Sequence, residues 1–242
     1  MRIISRLDIK NDFLIKGINF EGLRKLGKPE TFIYEYYKQG CHEVLISDAV
    51  ASLYGRNHLY DLIKKITKEI FIPVCVMGGI RSIKDINNAL NSGADKVGLN
   101  TSIVKEPSLL KKSITYFGES NIIVSIEAKK RGNQWEVYIN GGRDRTNINV
   151  IDWVKEVQNI GCGEILITSI DSDGTLKGFD EKLMIELNKI KIYKPLILSG
   201  GFGTIQHINK FNKYFKNDAL AIGTAFHYKK LKIKKLVNTF CE

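Results

Sequence analysis

The sequence predicts a single (β/α)8 barrel, also called a TIM barrel, made of two copies of one half. Three observations predict this fold. The chain has 242 residues, a length that suits one α/β barrel. Short β-branched runs alternate with longer segments of helical period along its whole length. The first half of the chain also recurs in the second half.

The internal repeat consists of four matches that occur in the same order, at offsets between 119 and 123 residues. The matching pairs are Leu7–Lys10 with Ile126–Lys129, Gly40–Ser47 with Gly161–Thr168, Ile72–Ile80 with Lys194–Phe202, and Asp95–Thr101 with Asp218–Thr224. A nearly constant offset over four collinear matches is hard to obtain by chance. We therefore expect half-repeats of about 1–120 and 121–242 within one domain that spans 1–242.

Strands and helices alternate strictly in this interpretation. Strands are predicted near 2–8, 43–48, 73–77, 96–99, 122–127, 164–169, 195–199 and 219–222. Helices are predicted near 29–39, 57–70, 82–92, 104–117, 149–160, 180–190, 204–215 and 230–240. Strict alternation calls for a parallel sheet, and the half-repeat favours closure into a barrel with its active site at the carboxyl ends of the strands. An open, doubly wound sheet is the alternative.

Composition excludes several classes of protein. No segment approaches the roughly 18 consecutive apolar residues of a membrane-spanning helix, so no membrane contact is expected. The N-terminal segment is charged and lacks the apolar core of a secretory signal, which predicts a cytoplasmic protein. The cysteines at 41, 75, 162 and 241 are scattered, without a CxxC pair or a nearby histidine. We therefore expect reduced thiols, no metal site and no cofactor.

The formal net charge is +11, a value that invites a nucleic-acid interpretation. The lysines are spread through helix-like segments, such as the run from Lys229 to Lys235, and are not interleaved with aromatic residues. They indicate solvated helix faces, so no nucleic-acid partner is expected. The functional meaning that remains for the charge is attraction of phosphorylated small molecules.

Glycine pairs follow two repeat-related strands. Gly78-Gly79 and Gly200-Gly201 end the third and seventh predicted strands, and each pair precedes a helix whose free N–H groups and dipole can hold a phosphate. Asn100-Thr101 and Gly223-Thr224 end the fourth and eighth strands and add donors beside each pair. A single Gly-Gly is explained by a turn, but two symmetry-related copies predict two phosphate cradles at one barrel mouth.

Two carboxylates lie between these cradles. The repeat places Asp8 at the end of the first strand and Glu127 at the end of the fifth, where opposed acids suit general acid–base catalysis. The structural alternative is an ion pair of each acid with Lys10 or Lys129. Asp173 follows the sixth strand and is a candidate for binding substrate hydroxyls, although it is also an ordinary turn residue.

A second charged set lies at the opposite ends of the strands. Arg2, Glu43, Lys96 and Glu164 each begin a strand, and alternation places Arg2 on the inward face. Two acids and two bases at the barrel floor predict a ring of salt bridges. Such a ring either plugs the barrel or gates the passage of a small molecule.

Seven short motifs occur in a specific order over essentially the whole chain. They are Leu7–Lys10, Lys16–Phe20, Gly78–Arg81, Gly93–Val97, Gly163–Ser169, Asp173–Thr175 and Ser199–Gly201. This order resembles the cyclase subunit of imidazole glycerol phosphate synthase. The resemblance implies a barrel that takes ammonia from a partner glutaminase through its interior. With that ammonia it converts a bisphosphate ribonucleotide of histidine biosynthesis into imidazole glycerol phosphate and an aminoimidazole carboxamide ribotide.

The resemblance also implies roles for individual residues. Asp8 and Glu127 are the expected catalytic acids, and the ring of Arg2, Glu43, Lys96 and Glu164 is the expected ammonia gate. Asp95 is expected on the glutaminase-docking face. The expected substrate and phosphate contacts are Lys16 on a flexible first loop, Gly79, Asn100, Thr101, Asp173, Gly174, Thr175, Ser199, Gly200, Gly201, Gly223 and Thr224.

Some residues depart from the pattern of the family. The second catalytic acid is Glu127 where the family has aspartate, and Arg6 stands on the inward face where the family has a small residue. Ser47 and Ser125 are expected inward at usually apolar positions, and Met77 replaces a glycine. A buried guanidinium needs a carboxylate partner, and Asp8 or Glu127 is nearest. An acid held ionised in this way donates protons poorly, which predicts slow cyclisation by the unmodified chain.

These departures resemble a branch of the family that accompanies amidotransferases making acetamidino sugars of bacterial surface glycans. In that interpretation the barrel and its glutaminase supply ammonia to a third protein, a sugar amidotransferase. Three functions therefore stand: the histidine-pathway cyclase, the ammonia-delivering paralogue, and a non-catalytic phosphate-binding barrel. The intact cradles and paired acids favour the first, and the paired acids argue against the third.

Overall fold

The computed structural model describes residues 1–51, 59–215 and 218–240. Eight parallel strands within them close into a barrel, because β1 pairs with both β12 and β4 while β10 joins β7 to β11. Strands are numbered in chain order, and the barrel strands are β1 (Arg2–Lys10), β4 (Glu43–Asp48), β5 (Val74–Met77), β6 (Lys96–Leu99), β7 (Ile122–Arg131), β10 (Glu164–Ser169), β11 (Leu196–Ser199) and β12 (Ala219–Ile222). The predicted barrel is confirmed with all eight strands, and the open sheet is wrong.

Helices cover the outside of the barrel. The described helices are α1 (Pro29–Lys38), α2 (Leu59–Ile66), α3 (Ile83–Asn91), α4 (Thr101–Lys105), α5 (Ser108–Phe117), α6 (Val150–Ile160), α7 (Glu181–Asn188), α8 (Ile205–Phe211), α9 (Thr224–His227) and α10 (Ile233–Phe240). Each predicted helix overlaps one of them, although the start of the helix predicted near 57–70 lies outside the described residues. The short helices α4 and α9 were not predicted separately.

Two β-hairpins extend the barrel and were not predicted. The first consists of β2 (Phe13–Ile18) and β3 (Glu21–Gly27), which continue β1 in antiparallel pairing. The second consists of β8 (Gln134–Ile139) and β9 (Asp144–Asn149), which continue β7 in the same way. The hairpins follow the first strand of each half, so the repeat includes them.

The core has two separate parts. Residues that alternate outward from the strands, such as Ile3 and Val44, pack with the helices into the larger cluster. Inward residues fill the barrel below its mouth with a smaller apolar layer. This layer consists of Ile4, Leu45, Cys75, Met77, Ile123, Leu166, Ile197, Ala219 and Ala221.

The described cysteines are buried free thiols at positions 41, 75 and 162. Cys241 lies outside the described residues. No helix in the described ranges combines the length and the apolar character needed to cross a membrane.

The glycines that end β5 and β11 adopt the same unusual backbone. Gly78 and Gly200 have φ angles of 93° and 104°. A Cβ at Gly78 would lie 2.3 Å from the backbone oxygen of Asp48, and one at Gly200 would lie 2.7 Å from that of Ser169. Because both partners are backbone atoms at the end of the neighbouring strand, a side chain could be accommodated only by moving the strand.

We expect Gly78→Ala to destabilise the fold by about 2–4 kcal/mol, because it combines a positive φ with a steric clash. Gly132→Ala is the control, since Gly132 has a φ of 57° and open space around its Cβ position. The control should cost only about 1–2 kcal/mol, the strain of a left-handed backbone alone. Urea unfolding of both variants measures the difference, and equal losses would show that the contact with Asp48 is unimportant.

Candidate active site

The inward face of β1 leads from the barrel floor to its mouth. Arg2, Ile4, Arg6 and Asp8 alternate along it, as the sequence predicts. Ile4 belongs to the apolar interior layer, and Arg6 and Asp8 line a cavity at the mouth. On the mouth side of the apolar layer, the charged side chains of this strand therefore begin at Arg6, directly above Ile4.

Arg6 is buried inside the barrel and bridges several strands. Its Nε donates to Asp8 Oδ1 at 3.1 Å, and its Nη1 donates to Thr168 Oγ1 at 2.8 Å and to Ser199 Oγ at 3.1 Å. The guanidinium carbon lies 5.7 Å from the centroid of the Phe20 ring. The expected carboxylate partner of Arg6 is therefore Asp8 and not Glu127.

Lys16 reaches the same site from the first hairpin. Its side chain is only 3% exposed, and its Nζ lies 2.9 Å from Asp8 Oδ2 and 2.7 Å from Asp173 Oδ2. Asn19 donates its backbone N–H to the backbone oxygen of Asp173 at 2.8 Å. The expected flexible loop is thus a β-hairpin anchored over the mouth, and Lys16 pairs with two carboxylates there.

The two candidate acids have opposite electrostatic environments. Burial alone would raise the pKa of Asp8, but the charges of Arg6 and Lys16 hold it well below its ordinary value. Burial raises the pKa of Glu127 to about 7, against the lowering effect of Arg6. Glu127 Oε2 has no hydrogen-bond partner among the described residues. Asp8 is therefore a permanent carboxylate, whereas Glu127 can exchange a proton near neutral pH.

The structure also tests the alternative in which each acid forms an ion pair with Lys10 or Lys129. Asp8 forms its ion pairs with Arg6 and Lys16, and Lys10 at the exposed end of β1 forms none in the described chain. Lys129 likewise forms no ion pair with Glu127 in the described ranges; its Nζ lies 5.6 Å from the Tyr138 ring. The alternative of i,i+2 pairing is wrong, because a partner two residues along the strand points further out of the barrel.

The first cradle opens into a cavity of about 300 Å³. Gly79, Asn100 and Thr101 line it, as predicted, and Glu127 and Ser47 line it as well. Arg81 and Lys105 also line this cavity and were not predicted. Arg81 is the second residue after the glycine pair, so its position was the available signal. The cavity combines the glycine backbone with two cations, an arrangement suited to a phosphate, and the carboxylates of Asp48, Glu106 and Glu127 line it as well.

The second cradle has the same backbone design but little free space. Ser199, Gly200, Gly201, Gly223 and Thr224 line a cavity of about 10 Å³ together with Asp173. The backbone of Asn100 (φ −133°, ψ −88°) is closely matched by that of Gly223 (φ −112°, ψ −74°), and each residue precedes a short helix. The repeat therefore reproduces the cradle geometry, and a phosphate in the second cradle requires it to widen.

The loop after β10 joins the hairpin to the second cradle. A Cβ at Gly174 would lie 2.3 Å from the backbone oxygen of Gly17, so the two segments touch. Thr175 Oγ1 donates to the backbone oxygen of Ser172 at 2.7 Å and thereby stabilises the turn. Asp173 is a turn residue that also pairs with Lys16, and its binding of substrate hydroxyls stays a prediction.

The predicted ring at the barrel floor is present. Arg2 pairs with Glu43 at 3.0 Å and also with Glu164. Lys96 pairs with Glu43 at 2.9 Å and with Glu164 at 2.6 Å. Each base contacts both acids, so the ring closes under the apolar interior layer.

Asp95 has a structural contact that sequence reasoning missed. Its Oδ2 accepts a hydrogen bond from the backbone N–H of Val74 at 2.8 Å. The repeat-related Asp218 accepts one from Leu196 at 2.8 Å in the same way. Both carboxylates tie the start of one strand to the loop before the next, which explains their equivalent positions in the repeat.

Ser47 and Ser125 are buried, and both belong to the inward-facing series of their strands, as predicted. Ser125 Oγ has no hydrogen-bond partner in the described chain. Met77 lies in the apolar interior layer, and its Cβ would be 2.9 Å from a Cβ at Gly98. The interior is therefore more polar near the mouth than an all-apolar barrel core.

Fold and site together define a (β/α)8-barrel enzyme with two acids between repeat-related glycine cradles. The model of the histidine biosynthesis protein family matches residues 2–232. The chain belongs to this family.

Three proteins with similar sequences share one name. A Legionella pneumophila protein named imidazole glycerol phosphate synthase subunit HisF is 45% identical over 210 residues, covering 86% of this chain and 99% of its own. Proteins of the same name from Wolinella succinogenes and Thermococcus onnurineus are 44% and 41% identical. Those matches cover 97% and 100% of this chain, and 92% and 95% of the relatives.

We expect the Glu127 carboxyl to titrate with a midpoint near pH 7, protonated at lower and ionised at higher pH. In Arg6→Gln the midpoint should rise, because the cation that favours the ionised form is lost. Carbon-13 NMR of glutamate-labelled protein measures it, and Glu127→Gln assigns the resonance. Lys10→Gln removes the same charge at the exposed end of β1 and should leave the midpoint unchanged; an equal shift in both variants would contradict the assigned contact.

Proposed function

We propose that this protein is the cyclase-type subunit of imidazole glycerol phosphate synthase. It uses ammonia to convert a bisphosphate ribonucleotide into imidazole glycerol phosphate and an aminoimidazole carboxamide ribotide. The observation that carries the proposal is the placement of Asp8 and Glu127 at equivalent strand ends between the two cradles. The names of its relatives agree with this activity.

The cradles define how the substrate lies across the mouth. One phosphate binds at Gly79, Asn100 and Thr101, where the cavity of about 300 Å³ is already open. The other binds at Gly201 and Thr224 after that cradle widens. The reacting part of the substrate then lies between the two acids. Holding both ends supplies the positioning that a ring closure requires.

The two acids divide the proton transfers between them. Glu127 has a pKa near neutrality and donates or accepts a proton at the reacting centre. Asp8 remains a carboxylate and stabilises positive charge that develops beside it. Lys16 is the residue that connects this carboxylate to phosphate binding. When Lys16 turns toward a bound phosphate it leaves Asp8 Oδ2, which becomes free to accept a hydrogen bond from the substrate, while Arg6 still holds Asp8 in its ionised form.

Ammonia enters from the opposite end of the barrel. The ring of Arg2, Glu43, Lys96 and Glu164 surrounds that entrance, and the apolar interior layer lies directly above it. A neutral molecule as small as ammonia crosses such a layer without the desolvation cost of an ion. The ring is then a gate that opens by exchanging salt-bridge partners.

A partner glutaminase docks around this entrance. Phe71, Tyr116 and Tyr193 are 81%, 71% and 53% exposed, and all three precede the amino-terminal ends of strands. Exposed aromatic residues are typical of interface anchors. They lie at the same end of the barrel as the charged ring and Asp95, which supports the expected docking face.

A second candidate function is supported by Arg6. Its ion pair with Asp8 and its hydrogen bonds to Thr168 and Ser199 hold a cation beside a candidate catalytic acid. In that case the barrel and its glutaminase supply ammonia to a sugar amidotransferase. The relatives reported above are named imidazole glycerol phosphate synthase subunit HisF, so the cyclase is the function we propose.

Ammonia-dependent turnover of the bisphosphate tests the reaction. We expect turnover by the native chain, slowed by the ion pair of Arg6 with Asp8, and its loss in Asp8→Asn. Glu127→Asp and the double change Arg6→Cys with Glu127→Asp should be faster, by up to about 100-fold, since a small displacement of an acid has effects of that size. No turnover by the native chain, with activity only in the double variant, would support the second candidate instead.

Glutaminase docking is tested with Phe71→Ala. We expect its affinity for the glutaminase encoded with it to fall at least about tenfold, because truncating an interface anchor typically costs more than 1 kcal/mol. Ile18→Ala is the control, as Ile18 is 60% exposed on the hairpin at the other end. Calorimetry measures both. Asp95→Lys is avoided because it would also break the hydrogen bond to Val74.

A further inference from the structure

A wide groove lies between the two hairpins, beside the mouth. Its volume is about 660 Å³, roughly twice that of the first cradle's cavity. Phe20 and Leu23 of the first hairpin form one wall. The opposite wall belongs to β7, to β9 and to the turn between β8 and β9. Neither the two candidate catalytic acids nor the glycine cradles line this groove.

Sheet register brings cations together on the second wall. Lys129 and Arg131 follow Glu127 at intervals of two along β7, so the three side chains share one face. Tyr138 pairs with Glu127 across to β8, and Arg145 pairs with Tyr138 across to β9. The face therefore runs without interruption from a candidate catalytic acid to the rim of the barrel.

The cations on this wall exceed the carboxylates that neutralise them. Glu136 accepts three hydrogen bonds from the Arg145 guanidinium, at 3.1, 3.2 and 3.2 Å, and its Oε2 lies 3.9 Å from Arg131 Nε. Arg131 also donates to Tyr138 Oη at 3.0 Å. Three cations and this one carboxylate leave the wall positive even before Arg143 is added.

Two of the cations lack an ion pair. Lys129 contacts the face of the Tyr138 ring, and Arg143 donates from Nη1 to the backbone oxygen of Asn140 at 3.1 Å. Neither forms a salt bridge in the part of the chain that the structure describes. Glu21 lies on the other wall of the groove. Cations that converge without counter-charges repel one another, and a bound anion removes that repulsion.

The shape of the groove restricts the kind of anion. A space of about 660 Å³ between two hairpins has the size of a small-molecule pocket. Its apolar wall of Phe20 and Leu23 suits a ring or hydrocarbon part, and the opposite wall suits a phosphoryl group. Arginine and lysine together are common ligands of phosphoryl oxygens.

We propose that the groove between the hairpins is an additional anion subsite, separate from both glycine cradles, for the phosphoryl group of a small organic ligand. Lys129 and Arg143 are its principal ligands. Arg131 and Arg145 add positive potential, and Glu136 fixes their positions. The subsite stands independently of the proposed cyclisation, because its argument uses only the hairpins and their charges.

Titration with inorganic pyrophosphate tests the proposal, with the Nε–Hε resonance of Arg143 in nitrogen-15 NMR spectra as a local reporter. The resonance is assigned with Arg143→Gln. In the native chain it should shift on titration. Lys129→Gln should raise the dissociation constant that it reports about tenfold, the effect of losing one charge-assisted hydrogen bond. Lys129→Arg keeps the charge and a donor for phosphoryl oxygens, so it should bind at least several-fold more tightly than Lys129→Gln.

Lys64→Gln is the matched control, because it removes the same charge from an exposed position on α2. Its dissociation constant should stay within about twofold of the native value. An unshifted Arg143 resonance would overturn the proposal. An equal weakening in Lys64→Gln and Lys129→Gln would overturn it too, since the anion would then respond only to net charge. A local reporter separates this subsite from pyrophosphate bound in the cradles.

Discussion

The chain of ion pairs Arg6–Asp8–Lys16–Asp173 connects β1, the first hairpin and the ends of β10 and β11 at the mouth. Arg6 ties β1 to β10 and β11 through Thr168 and Ser199, and Lys16 ties the first hairpin to β1 and to the loop after β10. All of these groups are largely removed from water, so each charge depends on the others. Removing one member of a buried ion pair typically costs about 3–5 kcal/mol. The conformation of the hairpin and the ionisation of Asp8 are therefore set by the same contacts.

The same chain of charges breaks the symmetry of the repeat. Asp8 and Glu127 are equivalent in sequence, but only Asp8 is held by two cations, so the pKa values of the two carboxyls move in opposite directions. Pairs of acids with separated pKa values can divide donor and acceptor roles. The cradles break symmetry as well, because the hairpin and Asp173 lie against the second while the first remains open.

Charge is distributed differently at the two ends of the barrel. At the floor, two bases and two acids neutralise one another in a closed ring. At the mouth, cations outnumber carboxylates on the wall of the second hairpin, whereas the first cradle's cavity is lined by Arg81 and Lys105 together with Asp48, Glu106 and Glu127. The floor is therefore close to neutral, and the excess of positive charge at the mouth lies on the wall of the second hairpin. This division accounts for part of the net charge of +11 without a nucleic acid.

By itself the sequence determined the barrel, its half-repeat, both cradles, the paired acids and the charged ring, because these follow from period-two alternation and from matching positions in the two halves. The hairpins escaped prediction although Gly132-Asn133 and the alternation of Trp135, Val137 and Ile139 were signals for the second. Only the tertiary structure decided that Arg6 pairs with Asp8, that Lys16 bridges two acids, and that Lys129 and Arg143 meet in one groove. Those contacts join residues from different strands and hairpins, and their distances depend on how the barrel closes and how each hairpin folds over it.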